Sequence, residues 1–202
     1  MSGTGRLLVI SGPSGVGKGT VIKKLQSIDE NFTLSVSVTS REPREGEIEG
    51  VHYFFKSKIE FMKMVEDGQL IEWDNYLDNY YGSSRLFVNE LLSKGKDVVF
   101  DITFKGAFEL KKNYSESILV FLVPPSFDEL RERLRIRGTE SNEIIEKRLS
   151  EAKREMNYID RFDYFVINDN VMDSAEMVRS IILAEKCKVK SDSYLNAILG
   201  RR

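Results

Sequence analysis

The segment Gly12-Pro13-Ser14-Gly15-Val16-Gly17-Lys18-Gly19-Thr20 follows an apolar run, Leu7-Leu8-Val9-Ile10, and opens a helical pattern at Val21. Strand, glycine-rich turn, lysine and helix in that order make a phosphate-binding loop. Its glycines let the backbone curl so that successive N–H groups point inward at phosphate oxygens. The following helix adds its positive end, and Lys18 supplies a mobile charge for the outer phosphates. The order therefore predicts a bound nucleoside triphosphate, with residues 12–20 holding its phosphates. One position departs from the usual pattern. A hydroxyl residue that ligates magnesium normally follows the lysine, whereas this chain has Gly19 and then Thr20. Either Thr20 takes that role or the ion is held mainly by water and carboxylates, as Mg2+ often is.

The rest of the chain alternates strand-like and helical segments, which predicts an α/β fold with a parallel sheet flanked by helices. Strand patterns cover Leu7–Ser11, Leu34–Val38, Asp97–Ile102, Ser117–Leu122 and Tyr164–Asn168. Helical patterns cover Lys18–Ile28, Ser84–Lys94, Ser126–Arg137, Asn142–Ile159 and Met172–Lys188. At 202 residues the chain suits one core with an insertion or two. The stretch from Val36 to about Tyr81 breaks the alternation, with short mixed strands and turn residues, and reads as an inserted subdomain. A net charge of −2 gives no electrostatic case for nucleic acid or a membrane surface as partner. One cysteine, Cys187, and one histidine, His52, argue against disulfides and histidine-based metal clusters. With no signal pattern at the start, the expected compartment is the cytoplasm.

A second anion site is suggested by Thr39-Ser40-Arg41-Glu42-Pro43-Arg44, where two arginines flank a proline-fixed turn. The planar guanidinium fork suits paired hydrogen bonds to phosphate, though a solvated surface turn would look the same. Tyr53 and Tyr81 lie downstream with hydroxyls able to complete such a cage. Glu72 sits among apolar neighbours in Leu70-Ile71-Glu72-Trp73. Facing inward it needs a donor partner, and guanine offers two N–H groups to one carboxylate.

Together these motifs resemble the guanylate kinases, P-loop nucleoside monophosphate kinases. The resemblance is carried by residues 10–18, by Ser35-Val36-Ser37 with Thr39–Arg44, and by Gly50–Phe55. It continues through Ile71-Glu72-Trp73, Asn79–Ser83, Gly95–Ile102, Pro124-Pro125-Ser126, Arg137-Gly138-Thr139 and Ile167-Asn168-Asp169. It implies transfer of the γ-phosphoryl group of ATP to GMP, and by extension to dGMP, with Mg2+. It implies that Ser37, Glu72 and Ser83 contact the guanine base, and that Arg41, Arg44, Tyr53 and Tyr81 cage the GMP phosphate. Lys18, Arg41, Asp101, Arg137 and Arg148 are the implied catalytic groups, with Arg133, Arg137 and Asn168 beside the loop at the ATP and Thr20 and Asp101 near the metal. The implied organisation is a single domain with a core at about 1–35, 96–125 and 163–188, a GMP-binding subdomain at 36–95, a lid at 126–162 and a C-terminal appendage at 189–202.

Two departures stand out. Where the family usually shows Asp-Ile-Asp and then Gln-Gly, this chain reads Asp101-Ile102-Thr103-Phe104-Lys105-Gly106. Losing a carboxylate at 103 predicts a raised GMP requirement rather than inactivity. Two other readings remain open, a kinase of the same fold for another acceptor and a peptide-binding module that has lost catalysis. Arg41, Arg44 and Glu72 argue against the first, and Gly12, Gly17 and Lys18 against the second.

Overall fold

A computed structural model describes residues 5–76, 78–136 and 142–188. The chain begins with β1 (Leu7–Ser11), α1 (Lys18–Ile28), β2 (Phe32–Leu34), β3 (Ser37–Thr39), β4 (Tyr53–Phe55) and α2 (Lys58–Glu66). It continues through β5 (Leu70–Tyr76), β6 (Asn79–Ser84), α3 (Arg85–Ser93), β7 (Asp97–Asp101), α4 (Phe104–Asn113) and β8 (Ile118–Val123). Last come α5 (Phe127–Ile136), α6 (Asn142–Met156), a 3-10 turn (Ile159–Arg161), β9 (Tyr164–Ile167) and α7 (Val171–Lys186).

Every residue of β1 and β8 is buried, the condition under which strands become unbroken apolar runs. They lie inside a five-stranded parallel sheet of order β2-β7-β1-β8-β9. Alternation along β1 feeds two separate cores. Leu8 and Ile10 pack with Val21, Ile22 and Leu25 of α1 and with Val178 and Ile182 of α7. Leu7 and Val9 pack with Val88 of α3 and with Ala107 and Leu110 of α4. The result is the expected sheet with helices on both faces, and it places the loop between β1 and α1 at the carboxyl end of the central strand, where such sheets bind ligands.

A second sheet of four strands has the order β4-β3-β6-β5, with β3 parallel to β4 and the other pairs antiparallel. Helix α2 closes it by setting Phe61 against Val38 and Leu70. It begins with a capping box formed by Ser57 and Glu60. Helices α5 and α6 make a small core of their own from Leu130, Leu134, Ile145, Leu149 and Ala152. Among the described residues no helix is long and apolar enough to cross a membrane.

Two expectations are corrected, and one helix, α4, was not anticipated. The single strand anticipated at Leu34–Val38 is two strands in different sheets. Phe32 points into the large core and Val38 into the small one, so the chain must cross between them, and the Ser35 N–H to Val99 carbonyl bond of 2.8 Å holds the crossing point. The helix expected through Ile159 stops at Met156, the 3-10 turn following separately. Helix α4 had no strong sequence signal because Gly106 interrupts its pattern. It forms because Thr103 caps it and Ala107 and Leu110 are buried. Arg137 and the tail 189–202 lie outside the described residues.

Candidate active site

The loop from Gly12 to Lys18 is built by backbone geometry that side chains would obstruct. Gly12 has φ near +144°, and a Cβ there would lie 2.3 Å from the Leu122 carbonyl oxygen. Gly17 is the left-handed N-cap of α1 at φ 98°, with no side chain capping the helix. The first amides of α1 are thus left to a ligand, and an anion is what a helix start favours. Lys18 folds back over the loop, its Nζ donating to the Gly12 carbonyl at 2.6 Å.

Residues distant in sequence brace this loop. Asn168, only 2 % exposed, donates from Nδ2 to the Val16 carbonyl at 2.7 Å, and its Oδ1 accepts from Ser174. Its contribution to the ATP end therefore acts through the loop it steadies. Arg133 lies alongside, donating to the carbonyls of Val16 at 3.4 Å and Asn168 at 2.9 Å. From α6, Arg148 donates to the Ser14 hydroxyl at 2.9 Å.

Glu155, seven residues further along α6, also reaches the loop and was not anticipated. It accepts from the Ser14 amide, and burial raises its carboxyl while the charge of Lys18 pulls it down. Its oxygen Oε2 is buried without a hydrogen-bond partner among the described residues. Two helical turns separate Arg148 from Glu155, so they share a face. That spacing was the available signal.

Asp101 ends β7 where solvent reaches it. Surrounding protein still raises its carboxyl, again opposed by Lys18. Thr20 is exposed on the first turn of α1, and nothing lies within 4 Å of where a Gly19 Cβ would be. Among the described residues there is no group of three or more His, Cys, Asp or Glu placed to hold a metal. Asp101 and Thr20 nonetheless offer hard oxygen donors beside the loop, a set that fits an ion keeping several waters and phosphate oxygens in its shell.

The small sheet gathers the second set of residues. Register pairs Ser37 with Tyr53 and Ser83, and Thr39 with Tyr81. Cross-strand partners share a face, so Ser37, Tyr53, Tyr81 and Ser83 all project to one side. Arg41 lies over the Tyr53 ring at 5.4 Å and pairs with Glu47 at 2.8 Å. Hydrogen bonding to Glu47, with a smaller one to Tyr81, raises the Arg41 pKa. In return, the hydrogen bonds from the Arg41 side chain and the Arg44 N–H hold Glu47 down at about 2. Glu47 is a second residue that motif reading missed. It orders the Arg41–Arg44 turn, with Arg44 joining through its backbone and leaving its side chain outward. Burial raises the Tyr53 hydroxyl pKa, opposed by Arg41 and reinforced in small part by the charge of Asp101.

Glu72 is 6 % exposed and accepts from the Ser83 hydroxyl at 2.7 Å. Burial pushes its carboxyl up to about 7, although Ser83 opposes the shift. Close approach of α4 contributes to this burial. Gly106 lies against Glu72, and a Cβ at 106 would come within 2.8 Å of Oε2.

Thr103 caps α4 through its Oγ1, which accepts from the Gly106 N–H at 3.3 Å. Replacing Thr103 by alanine should destabilise the protein by about 1 kcal/mol, lowering the melting temperature by roughly 2–4 °C. Thr103→Asp should keep the cap. An unchanged melting temperature for Thr103→Ala would show that the cap contributes nothing.

A family model described as guanylate kinase matches residues 4–185. Similar proteins include the guanylate kinase of Desulfitobacterium hafniense, 44 % identical over 191 residues, covering 95 % of this chain and 96 % of that one. The guanylate kinase of Caldanaerobacter subterraneus is 47 % identical over 193 residues, covering 95 % and 94 %. That of Bacillus subtilis is 46 % identical over 189 residues, covering 93 % of each. Among solved structures, guanylate kinase from Anaplasma phagocytophilum superposes with a TM-score of 0.78 at 31 % identity, over 97 % of this chain and 94 % of that one. The SH3-kinase fragment of tight junction protein 3 has a TM-score of 0.51 at 17 % identity and shares the fold alone. Because the family match runs through both the phosphate loop and the small sheet with its buried carboxylate, the chain belongs to the guanylate kinase family.

Proposed function

We propose that this chain transfers the γ-phosphoryl group of ATP to GMP, giving ADP and GDP, and accepts dGMP as well. The observation that carries the reading is Glu72. It is a buried carboxylate held by Ser83 with no ion-pair partner among the described residues, on the sheet that also bears Arg41 and the two tyrosines. Such a group is costly unless a ligand brings donors to it. Guanine brings an N–H and an amino group side by side, whereas adenine presents an acceptor there.

In this reading the donor phosphates lie on the amides of residues 12–20 under Lys18, with Arg133, Arg137 and Arg148 at their outer side. Arg41, Arg44, Tyr53 and Tyr81 hold the GMP phosphate, and Ser37, Glu72 and Ser83 hold its base. Phosphoryl transfer needs alignment and charge neutralisation more than covalent help. The attacking oxygen belongs to a phosphate already largely ionised near neutrality. That removes any need for a general base, in keeping with a chain whose one histidine, His52, accepts a hydrogen bond from the Ile48 N–H. Mg2+, held by Asp101 with Thr20 or through water, supplies further neutralisation of the outer phosphates when bound.

Water competes with GMP as acceptor, so closure should follow binding of both nucleotides. The units positioned to move are the small sheet, within about 36–95, and the helical pair within 126–162. Helix α3 stays on the core through Val88. The expected compartment is the cytoplasm, a reading supported by a single cysteine, Cys187, among 202 residues. A coupled assay of ADP formation from ATP and Mg2+, run in parallel with GMP, AMP, UMP and dTMP, tests the reading. ADP should form with GMP alone of the four, and turnover without GMP, or none, would reject it.

A further inference from the structure

Register in the small sheet places one more carboxylate on the base-reading face. Asp74 pairs directly with Tyr81 across β5 and β6, so it shares the face that carries Tyr81, Ser83, Ser37 and Tyr53. It stands two residues from Glu72 on the same strand, with Trp73 between them opposite Gly82, and alternation turns both acids the same way. The register shift between Leu70 and Trp73 spans Ile71 and Glu72, and the Ser83 hydroxyl, donating to Glu72 at 2.7 Å, keeps that acid on the face of Ser83. The two charges feel each other, since Asp74 adds to the rise in the Glu72 carboxyl. Among the described residues neither acid has an ion-pair partner.

The oxygens of Asp74 are placed rather than loose. Oδ1 accepts the Asn75 N–H at 2.8 Å. Oδ2 points at the α4 cap, where the Thr103 hydroxyl lies 3.5 Å away. That is well beyond the usual O–H···O separation of about 2.7–2.8 Å, so Oδ2 keeps acceptor capacity. Two carboxylates on one face, with no ion-pair partner among the described residues, complement a ligand edge richer in donors than one carboxylate can satisfy. Guanine has such an edge, with the N1 proton and two protons on its 2-amino group. Glu72 can take two side by side, which leaves one amino proton.

We propose that Asp74 is a specificity-determining residue of this chain, accepting the remaining proton of the guanine 2-amino group. This rests on the chain's use of GMP as acceptor. Asp74 thereby supplies from β5 a negative charge beside Thr103, at the point where the family's usual pattern has a carboxylate and this chain does not.

The test compares wild type, Asp74→Ala and Asp74→Ala/Thr103→Asp by steady-state kinetics with GMP. Calorimetric Kd values for GMP and for IMP, which lacks the 2-amino group, are measured alongside, with melting temperatures to confirm folding. Asp74→Ala should raise KM and Kd for GMP by about 10- to 100-fold, with kcat and the Kd for IMP within about twofold. The double variant, which moves the carboxylate across the 3.5 Å contact, should recover most of the GMP affinity. Parallel losses for GMP and IMP, or an unchanged Kd for GMP, would overturn the proposal. Wild type that failed to phosphorylate GMP at all would reject the enzymatic reading itself, a separate outcome.

Discussion

Replacing Glu72 by glutamine is expected to lower kcat/KM for GMP on the order of a thousandfold while leaving KM for ATP within about twofold. Glutamine keeps the shape and can still accept from Ser83, but it presents an N–H group where the base needs an acceptor. Free-protein stability should move the other way. The Glu72 carboxyl is raised from 4.5 to about 7, chiefly by burial, so the folded state holds its proton more tightly than the unfolded chain. The stability this contributes is complete below about pH 4.5 and is lost as pH rises through about 7. At pH 8 the loss amounts to about 3 kcal/mol. Glu72→Gln removes the titration, so its melting temperature should exceed that of wild type by roughly 6–12 °C at pH 8 and converge with it near pH 4.5. A gap of the same size at both pH values would show that Glu72 is not a strained buried acid. Equal losses for GMP and ATP would show that it is not the base reader.

That opposition of stability and activity explains which parts of the site could be read from the sequence. The phosphate loop is legible because its chemistry is local, with glycines, lysine and helix start contiguous from Gly12 to Thr20. Glu72 is legible because a lone acid among Leu70, Ile71 and Trp73 contradicts its neighbourhood. Glu47, Glu155 and Asp74 are not, since each lies in a charged or polar stretch where an acid needs no explanation. Their positions follow only from tertiary pairing: Glu47 with Arg41, Glu155 with the Ser14 amide, Asp74 with Tyr81 and Thr103. The same limit applies to the fold. Period and capping give the parallel sheet and most helices, but nothing local reveals that Phe32 and Val38 serve different cores. Asn168 shows the converse case. The resemblance sets it beside the ATP, yet both ends of its side chain are spent inside the protein, on Val16 and Ser174.

Lys18→Met should lower kcat on the order of a thousandfold with the Kd for GMP within about threefold. Lys18 lies where three demands meet. Its ammonium donates to the Gly12 carbonyl at 2.6 Å, and its charge draws down the carboxyls of both Asp101 and Glu155, which burial otherwise raises. Methionine fills much of the same volume, so the loop glycines and the Asn168 brace keep their geometry. What goes is the charge that Lys18 folds back over the loop, and with it two effects that reinforce each other. The outer phosphates lose a cation as negative charge spreads over them in the transition state. Asp101 and Glu155 also lose the charge that offsets their burial, so both hold protons to higher pH, and the kcat profile of the residual activity should shift its acid limb upward. In the proposed reading GMP is bound by Glu72, Arg41 and their sheet, where Glu72 is held by Ser83 and Arg41 by Glu47, so its binding should survive. A fall in GMP affinity as large as the fall in kcat would mean that the two halves of the site are not separable, and that Lys18 organises the acceptor side as well as the donor.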